Sequence, residues 1–165
     1  MLTWKYGVLM QLPEGKRAGF YAQIVKTLAS VARIYDRDKE LVILDTEEDR
    51  RNVAAALKKY NVEWEPIRLL LLPEDARTTG KTEDFGFTSN GGNSYIYADQ
   101  VVLYRLEPKQ GAEADFASAL MQLDEFLIAS FRYGQQQTVY CTEAHLQETV
   151  EGIARRYGVK AECLQ

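Results

Sequence analysis

The sequence predicts an α/β protein made of two repeated β-α-β-α-β halves, packed as one pseudo-twofold domain with a central aromatic hairpin or loop. Three observations lead to that class. Compact aliphatic runs such as Leu41-Val42-Ile43-Leu44 alternate with longer segments whose apolar residues recur every three or four positions. These are the patterns of a strand covered on both faces and of a helix with one buried face. Val42-Ile43-Leu44-Asp45-Thr46-Glu47 also matches Thr138-Val139-Tyr140-Cys141-Thr142-Glu143, and after one inserted residue Asn52 to Val62 matches Thr149 to Val159. Lastly, Pro73 to Asp99 follows neither pattern, which divides the chain into a first half (1–72), a connecting loop or hairpin (73–99) and a second half (100–165).

Taken in order, Tyr6 to Leu12 reads as the first strand, stopped by Pro13-Glu14-Gly15. From Lys16 to about Tyr35, Phe20, Ile24, Val25, Leu28, Val31, Ala32 and Tyr35 keep helical spacing, so a helix is expected there, ending before Asp36-Arg37-Asp38. Leu41 to Leu44 is the next strand. Thr46 followed by Glu47, Glu48 and Asp49 marks a helix start, because a hydroxyl caps free N–H groups and early carboxylates oppose the positive helix end. Val53, Ala56, Leu57 and Tyr60 give that helix its stripe, Asn61 ends it, and Val62 to Leu72 is extended.

The second half repeats this order: a strand from Val101 to Leu106, a Pro108/Gly111 turn, then a helix from Ala112 to about Phe131 carrying Phe116, Leu120, Leu123, Leu127 and Phe131. Gly158 stands where Asn61 stands, and both residue types tolerate the left-handed backbone that follows a helix. The match predicts that Asp45 and Cys141 occupy corresponding strand-to-helix junctions. In the connector, Phe85 and Phe87, then Asn90-Gly91-Gly92-Asn93, then Tyr95 and Tyr97 predict a small hairpin.

Composition narrows the function classes. At 165 residues, 46% hydrophobic and 27% charged, the chain can bury a continuous core without metals or disulfides. Lys plus Arg number 20 against 24 for Asp plus Glu, so the net charge of −4 supplies no general attraction to phosphate backbones or anionic lipids. The opening residues carry no basic segment followed by an apolar run, and the longest aliphatic run, Leu69 to Leu72, is far short of a membrane span. With only Cys141 and Cys163, a cytoplasmic protein without membrane contact and without a cofactor is expected.

Four groups are candidate sites. Cys141 with His145 forms a nucleophile-base pair at a helix start, where a thiol pKa falls, or else is a buried Cys capping a strand beside a surface His on a helix. Asp45, Glu47 and Asp49 can bind a divalent cation at a strand-to-helix junction, although the same residues serve any first helical turn. The basic pairs, chiefly Lys58-Lys59 and Arg155-Arg156 and including Lys16-Arg17, form a nucleic-acid surface if they converge, and otherwise a solvated helix face. Phe85, Phe87, Tyr95 and Tyr97 form a partner-facing flap, or else pack on the protein's own sheet. Gly80-Lys81-Thr82 lacks the preceding glycines of a phosphate loop.

No complete catalytic set emerges, so the leading expectation is a non-catalytic regulatory or protein-interaction domain, with a protein partner or self-association as a dimer. A nucleic-acid-binding or nucleic-acid-processing protein is the second reading. A Cys141-dependent hydrolase or transferase is the third.

Overall fold

The computed structural model describes residues 2–16, 18–135 and 137–164; Arg17 of the first basic pair lies outside them. The chain divides into two compact units. The first comprises Thr3–Leu71 and Thr88–Tyr95, and the main segments of the second are Leu72–Phe87 and Ile96–Gln165.

In the first unit, β1 (Trp4–Gln11), α1 (Ala18–Val31), β2 (Ile34–Asp38), β3 (Leu41–Leu44), α2 (Glu47–Lys59) and β4 (Glu63–Leu71) follow one another. The sheet order is β2-β3-β1-β4, and every pairing among these four strands is antiparallel, with Val8 opposite Val42 and Gly7 opposite Ile67. Alternation along β1 turns Val8 and Met10 towards the helices, where they join Ile24, Leu28, Val42, Leu44, Val53 and Leu57 in one core. The opposite face carries Ile43 and Leu69, also fully buried. Gly7 is required on that face, since a Cβ would lie 2.9 Å from the Ile67 carbonyl oxygen. Thr46 caps α2 by accepting the Asp49 N–H, and Glu47, Glu48 and Asp49 occupy its first turn.

The connector holds β5 (Arg77–Thr78), β6 (Gly86–Thr88) and β7 (Ser94–Tyr97); β7 and β6 extend the first sheet beyond β4, and β5 joins the second sheet. In the second unit come β8 (Val101–Pro108), α3 (Phe116–Leu123), β9 (Ala129–Tyr133), β10 (Gln137–Glu143), α4 (Gln147–Arg156) and β11 (Val159–Cys163). The order is β11-β8-β10-β9-β5, again antiparallel. Its helix-facing core is built on Val102, Tyr104, Leu123, Val150 and Ile153. Both units therefore run strand, helix, strand, strand, helix, strand, the split βαβ arrangement.

The predicted α/β class of repeated β-α-β-α-β halves is corrected. Among the described residues the chain is mostly antiparallel sheet, eleven strands in two sheets with four short α-helices, and the duplicated unit read from the sequence is not the unit that forms. The physical reason is a strand missed in each half. Helical spacing continues from Val31 to Tyr35, but α1 ends at Val31 and β2 begins at Ile34. The spacing likewise runs on to Phe131, but α3 ends at Leu123, a 3-10 turn intervenes at Asp124–Phe126, and Phe131 lies in β9. Each inserted strand returns the chain through a hairpin, which reverses the next strand and makes the sheet antiparallel. Among the described residues no helix is long and apolar enough to cross a membrane.

Candidate functional site

The predicted nucleophile sits in an interior strand. Cys141 lies inside β10, opposite Leu103 and Ala129, with no exposure to solvent, and burial pushes its thiol up to about 12. Cys141 stands inside the strand and not in the first turn of a helix, so desolvation alone sets the shift, leaving almost no thiolate at neutral pH. His145 is exposed on the 3-10 turn Ala144–Leu146, where its Nε2 is 3.5 Å from the Glu143 carboxylate. Asp45 directly follows β3, whereas Cys141 precedes the end of β10 at Glu143.

The three acidic residues have separate engagements. Asp45 is ion-paired with Lys5, a 7% exposed residue of β1 whose ammonium also lies 3.7 Å from the Tyr35 ring centroid. Glu47 pairs with Arg50 at 3.0 Å and Arg51 at 3.5 Å. Asp49 accepts from the Thr46 hydroxyl at 3.0 Å and the Arg33 N–H at 3.3 Å. Among the described residues no group of three or more His, Cys, Asp or Glu side chains is placed to hold a metal ion.

Lys58 and Lys59 occupy the last turn of α2, and Arg155 and Arg156 the last turn of α4, in different units. The four aromatic residues of the connector take different positions. Phe87 and Tyr97 pack at 5.6 Å between ring centroids, Phe85 is half-buried, and Tyr95 is fully buried with its hydroxyl donating to Asp36 at 2.7 Å.

Asp36, on β2, is a centre that sequence reasoning missed. One carboxylate oxygen accepts from the Ser89 hydroxyl (2.6 Å), the Asn93 amide (2.9 Å) and the Tyr95 hydroxyl, and the other from the Arg37 N–H (2.8 Å). Partial burial pushes this carboxyl up, but the Ser89, Asn93, Tyr95 and Arg37 hydrogen bonds outweigh it, so its pKa falls below the ordinary range. Tyr95 moves the other way, raised first by burial, then by its hydrogen bond to Asp36 and by the charge of that carboxylate. Asp36 thus ties the turn between β6 and β7 to β2. Its signal in the sequence was the period of two at Ile34, Asp36 and Asp38, but its partners lie more than 50 residues away.

The second unit offers a surface of a different kind, the outer edge of β11. Gly158, at φ +70°, turns the chain from α4 into this strand, and Val159 packs with Ala119 and Ala154 beneath α3 and α4. The Leu164 N–H donates to the Leu103 carbonyl and the Lys109 N–H to the Gly158 carbonyl, both at 3.0 Å. Alternation along an antiparallel strand then points the backbone of Lys160 and Glu162 towards β8 and that of Val159, Ala161 and Cys163 outward. Among the described residues no strand pairs with that side; Val159 is buried there, so the accessible part of the edge is Ala161 and Cys163. In the first unit the corresponding strand, β4, is flanked by β7.

Beside the open edge runs a cleft of about 360 Å³ lined by Lys109, Glu151, Arg155, Val159, Lys160 and Ala161. On the other face of the strand, Arg105 donates through Nε to Glu162 at 2.9 Å, pairs through its terminal nitrogen with Glu162 at 2.8 Å and Glu107 at 3.0 Å, and reaches Gln137 at 3.0 Å. The hydrogen bond from Arg105 holds the Glu162 carboxyl below the ordinary carboxylate range, so this residue is an anion fixed on the edge strand at neutral pH. Comparison with protein-family models, curated proteins and solved structures returned no match.

Proposed function

We propose that this chain is a non-catalytic protein-interaction module that recruits an extended segment of a protein partner onto the outer edge of β11. The observation carrying this reading is the pair of outward backbone groups at Ala161 and Cys163, with no neighbouring strand among the described residues where the corresponding strand of the first unit has one. An unpaired edge is a template for strand addition, in which main-chain hydrogen bonds supply affinity and alternate side chains supply selectivity. The adjoining cleft gives one set of those side chains a place to lie along α4.

Ala161→Pro tests this reading without disturbing the sheet's own bonds. The Ala161 N–H points outward, so proline removes a donor that β8 does not use, and edge strands tolerate proline at such positions. With fluorescent eight-residue peptides of alternating Val/Thr and Lys/Glu as probes, wild-type chain is expected to bind at least one of them. The variant should bind it at least about tenfold more weakly, while its melting temperature stays within a few degrees. Equal binding by the two proteins, or no binding to any peptide of the set, would contradict strand capture.

A further inference from the structure

Resting on that reading, we infer that the captured segment is the C-terminus of a partner protein, running antiparallel to β11 with its terminal carboxylate against Lys109 and Arg155. The outer edge has one open end and one closed end. Cys163 is exposed and Ala161 partly so, whereas Val159 is 1% exposed. The Glu113–Asp115 loop closes that end. The Asp115 N–H donates to the Tyr157 carbonyl at 2.8 Å, and the Glu113 carbonyl oxygen would stand 2.3 Å from a Cβ on Gly158. A strand entering from the Cys163 end therefore runs out of backbone partners just past Ala161. A chain that terminates there fits the edge, while one that continues must turn away.

Charge at the closed end decides which terminus arrives. Lys109 is held beside Val159, since its N–H donates to the Gly158 carbonyl and Pro108 is the register partner of Val159. Arg155 occupies the last turn of α4 and lines the same cleft as Lys109. Both residues are exposed, and among the described residues neither forms an ion pair. The neighbouring carboxylates have other engagements. Asp115 accepts from the Ser118 N–H and hydroxyl, and Glu107 pairs with Arg105. Glu151 accepts from the Gln147 amide at 3.1 Å and lies towards the open end, where the Cys163 thiol is pushed up by partial burial and then by the Glu151 charge. The last α4 carbonyls, Ala154 and Arg155, accept from the Tyr157 and Gly158 N–H groups, so they turn no bare oxygen on an incoming anion.

Two cations at the closed end attract a carboxylate, and Glu151 repels one from the open end. Because β11 runs from Val159 to Cys163, the C-terminus of an antiparallel strand falls at the closed end. A parallel strand would bring its terminal ammonium to the same two cations. Capture of a chain terminus adds an ionic anchor to the few main-chain hydrogen bonds that Ala161 and Cys163 can offer.

Fluorescence anisotropy with the alternating peptides, labelled at the N-terminus and made both as free acids and as C-terminal amides, tests the terminus. The free acid is expected to bind roughly tenfold more tightly than the amide. Lys109→Gln and Arg155→Gln should each weaken the free acid by about threefold or more and leave the amide within about twofold, a difference that a merely structural role would not produce. Two glycines appended to the peptide should weaken binding by roughly tenfold at the C-terminus and by less than about twofold at the N-terminus. Circular dichroism melting checks that each variant keeps the fold.

Equal binding of acid and amide overturns the inference and leaves strand capture standing. So does an acid preference that both substitutions leave intact, or equal tolerance of the added glycines at the two ends. No binding by either form of any peptide overturns the strand-binding reading as well.

Discussion

Gly158→Ala is expected to destabilise the protein by roughly 3 kcal/mol or more, lowering the melting temperature by about 10 °C. Two independent effects add at this position. The residue sits at φ +70°, where an L side chain is strained, and its Cβ would stand 2.3 Å from the Glu113 carbonyl oxygen and 3.0 Å from the carbonyl carbon. The backbone has little freedom to yield. The Gly158 carbonyl accepts from the Lys109 N–H, and the neighbouring Tyr157 carbonyl accepts from the Asp115 N–H at 2.8 Å, which locks the helix end to the loop before α3. Asn61 occupies the matching place after α2 at φ 55° as a non-glycine residue, so the left-handed turn alone does not require glycine. Close approach of the loop does. A Gly158→Ala melting temperature within about 2 °C of wild type would show that this contact is looser than described.

Asp36→Ala should cost about 2–4 kcal/mol, because the Ser89, Asn93 and Tyr95 side chains lose their shared acceptor, and Ser89 and Tyr95 are 5% and 0% exposed. A pH signature accompanies the loss. A carboxyl whose folded pKa is depressed binds fewer protons folded than unfolded, so it contributes stability above its unfolded value of about 3.9. That contribution disappears as pH falls through the lower folded value. Wild-type stability, followed by urea denaturation, should therefore fall more steeply below about pH 4 than that of Asp36→Ala, and the two curves should converge in acid. Parallel curves through this range would show that Asp36 does not carry the charge-dependent contacts described.

These effects bear on what can be read from residue order. Thr46, with its acidic followers and the Val53, Ala56, Leu57 stripe, was legible because capping and helical period are local properties. The runs at Leu41–Leu44 and Glu63–Leu71 were legible as extended for the same reason. By contrast, β2 and β9 were absorbed into their preceding helices. Tyr35 stands four residues after Val31, and Phe131 four after Leu127, so a helical stripe continues across each boundary by coincidence of spacing. Misreading those two strands reversed the direction of everything after them and turned an antiparallel arrangement into a parallel one.

The candidate sites divide along the same line. Cys141 was singled out for its place near a helix start, but its chemistry is governed by the strands on either side, which no local pattern identifies. The Asp36 cluster gathers residues from β2 and the turn before β7, and the open edge of β11 is defined by which strand stands beside it. The direction of each outward N–H along β11 required the register with β8.

The central claim, that β11 takes up a strand at its outer edge, is tested most directly by residue-resolved amide hydrogen exchange across that strand. In the free chain the Lys160, Glu162 and Leu164 amides should exchange slowly and the Ala161 and Cys163 amides quickly, an alternation set by which N–H groups face β8. Adding a captured peptide should slow Ala161 and Cys163 selectively, by roughly tenfold or more at saturation, and remove the alternation. Binding that leaves those two amides as fast as before would place the partner elsewhere and contradict the account.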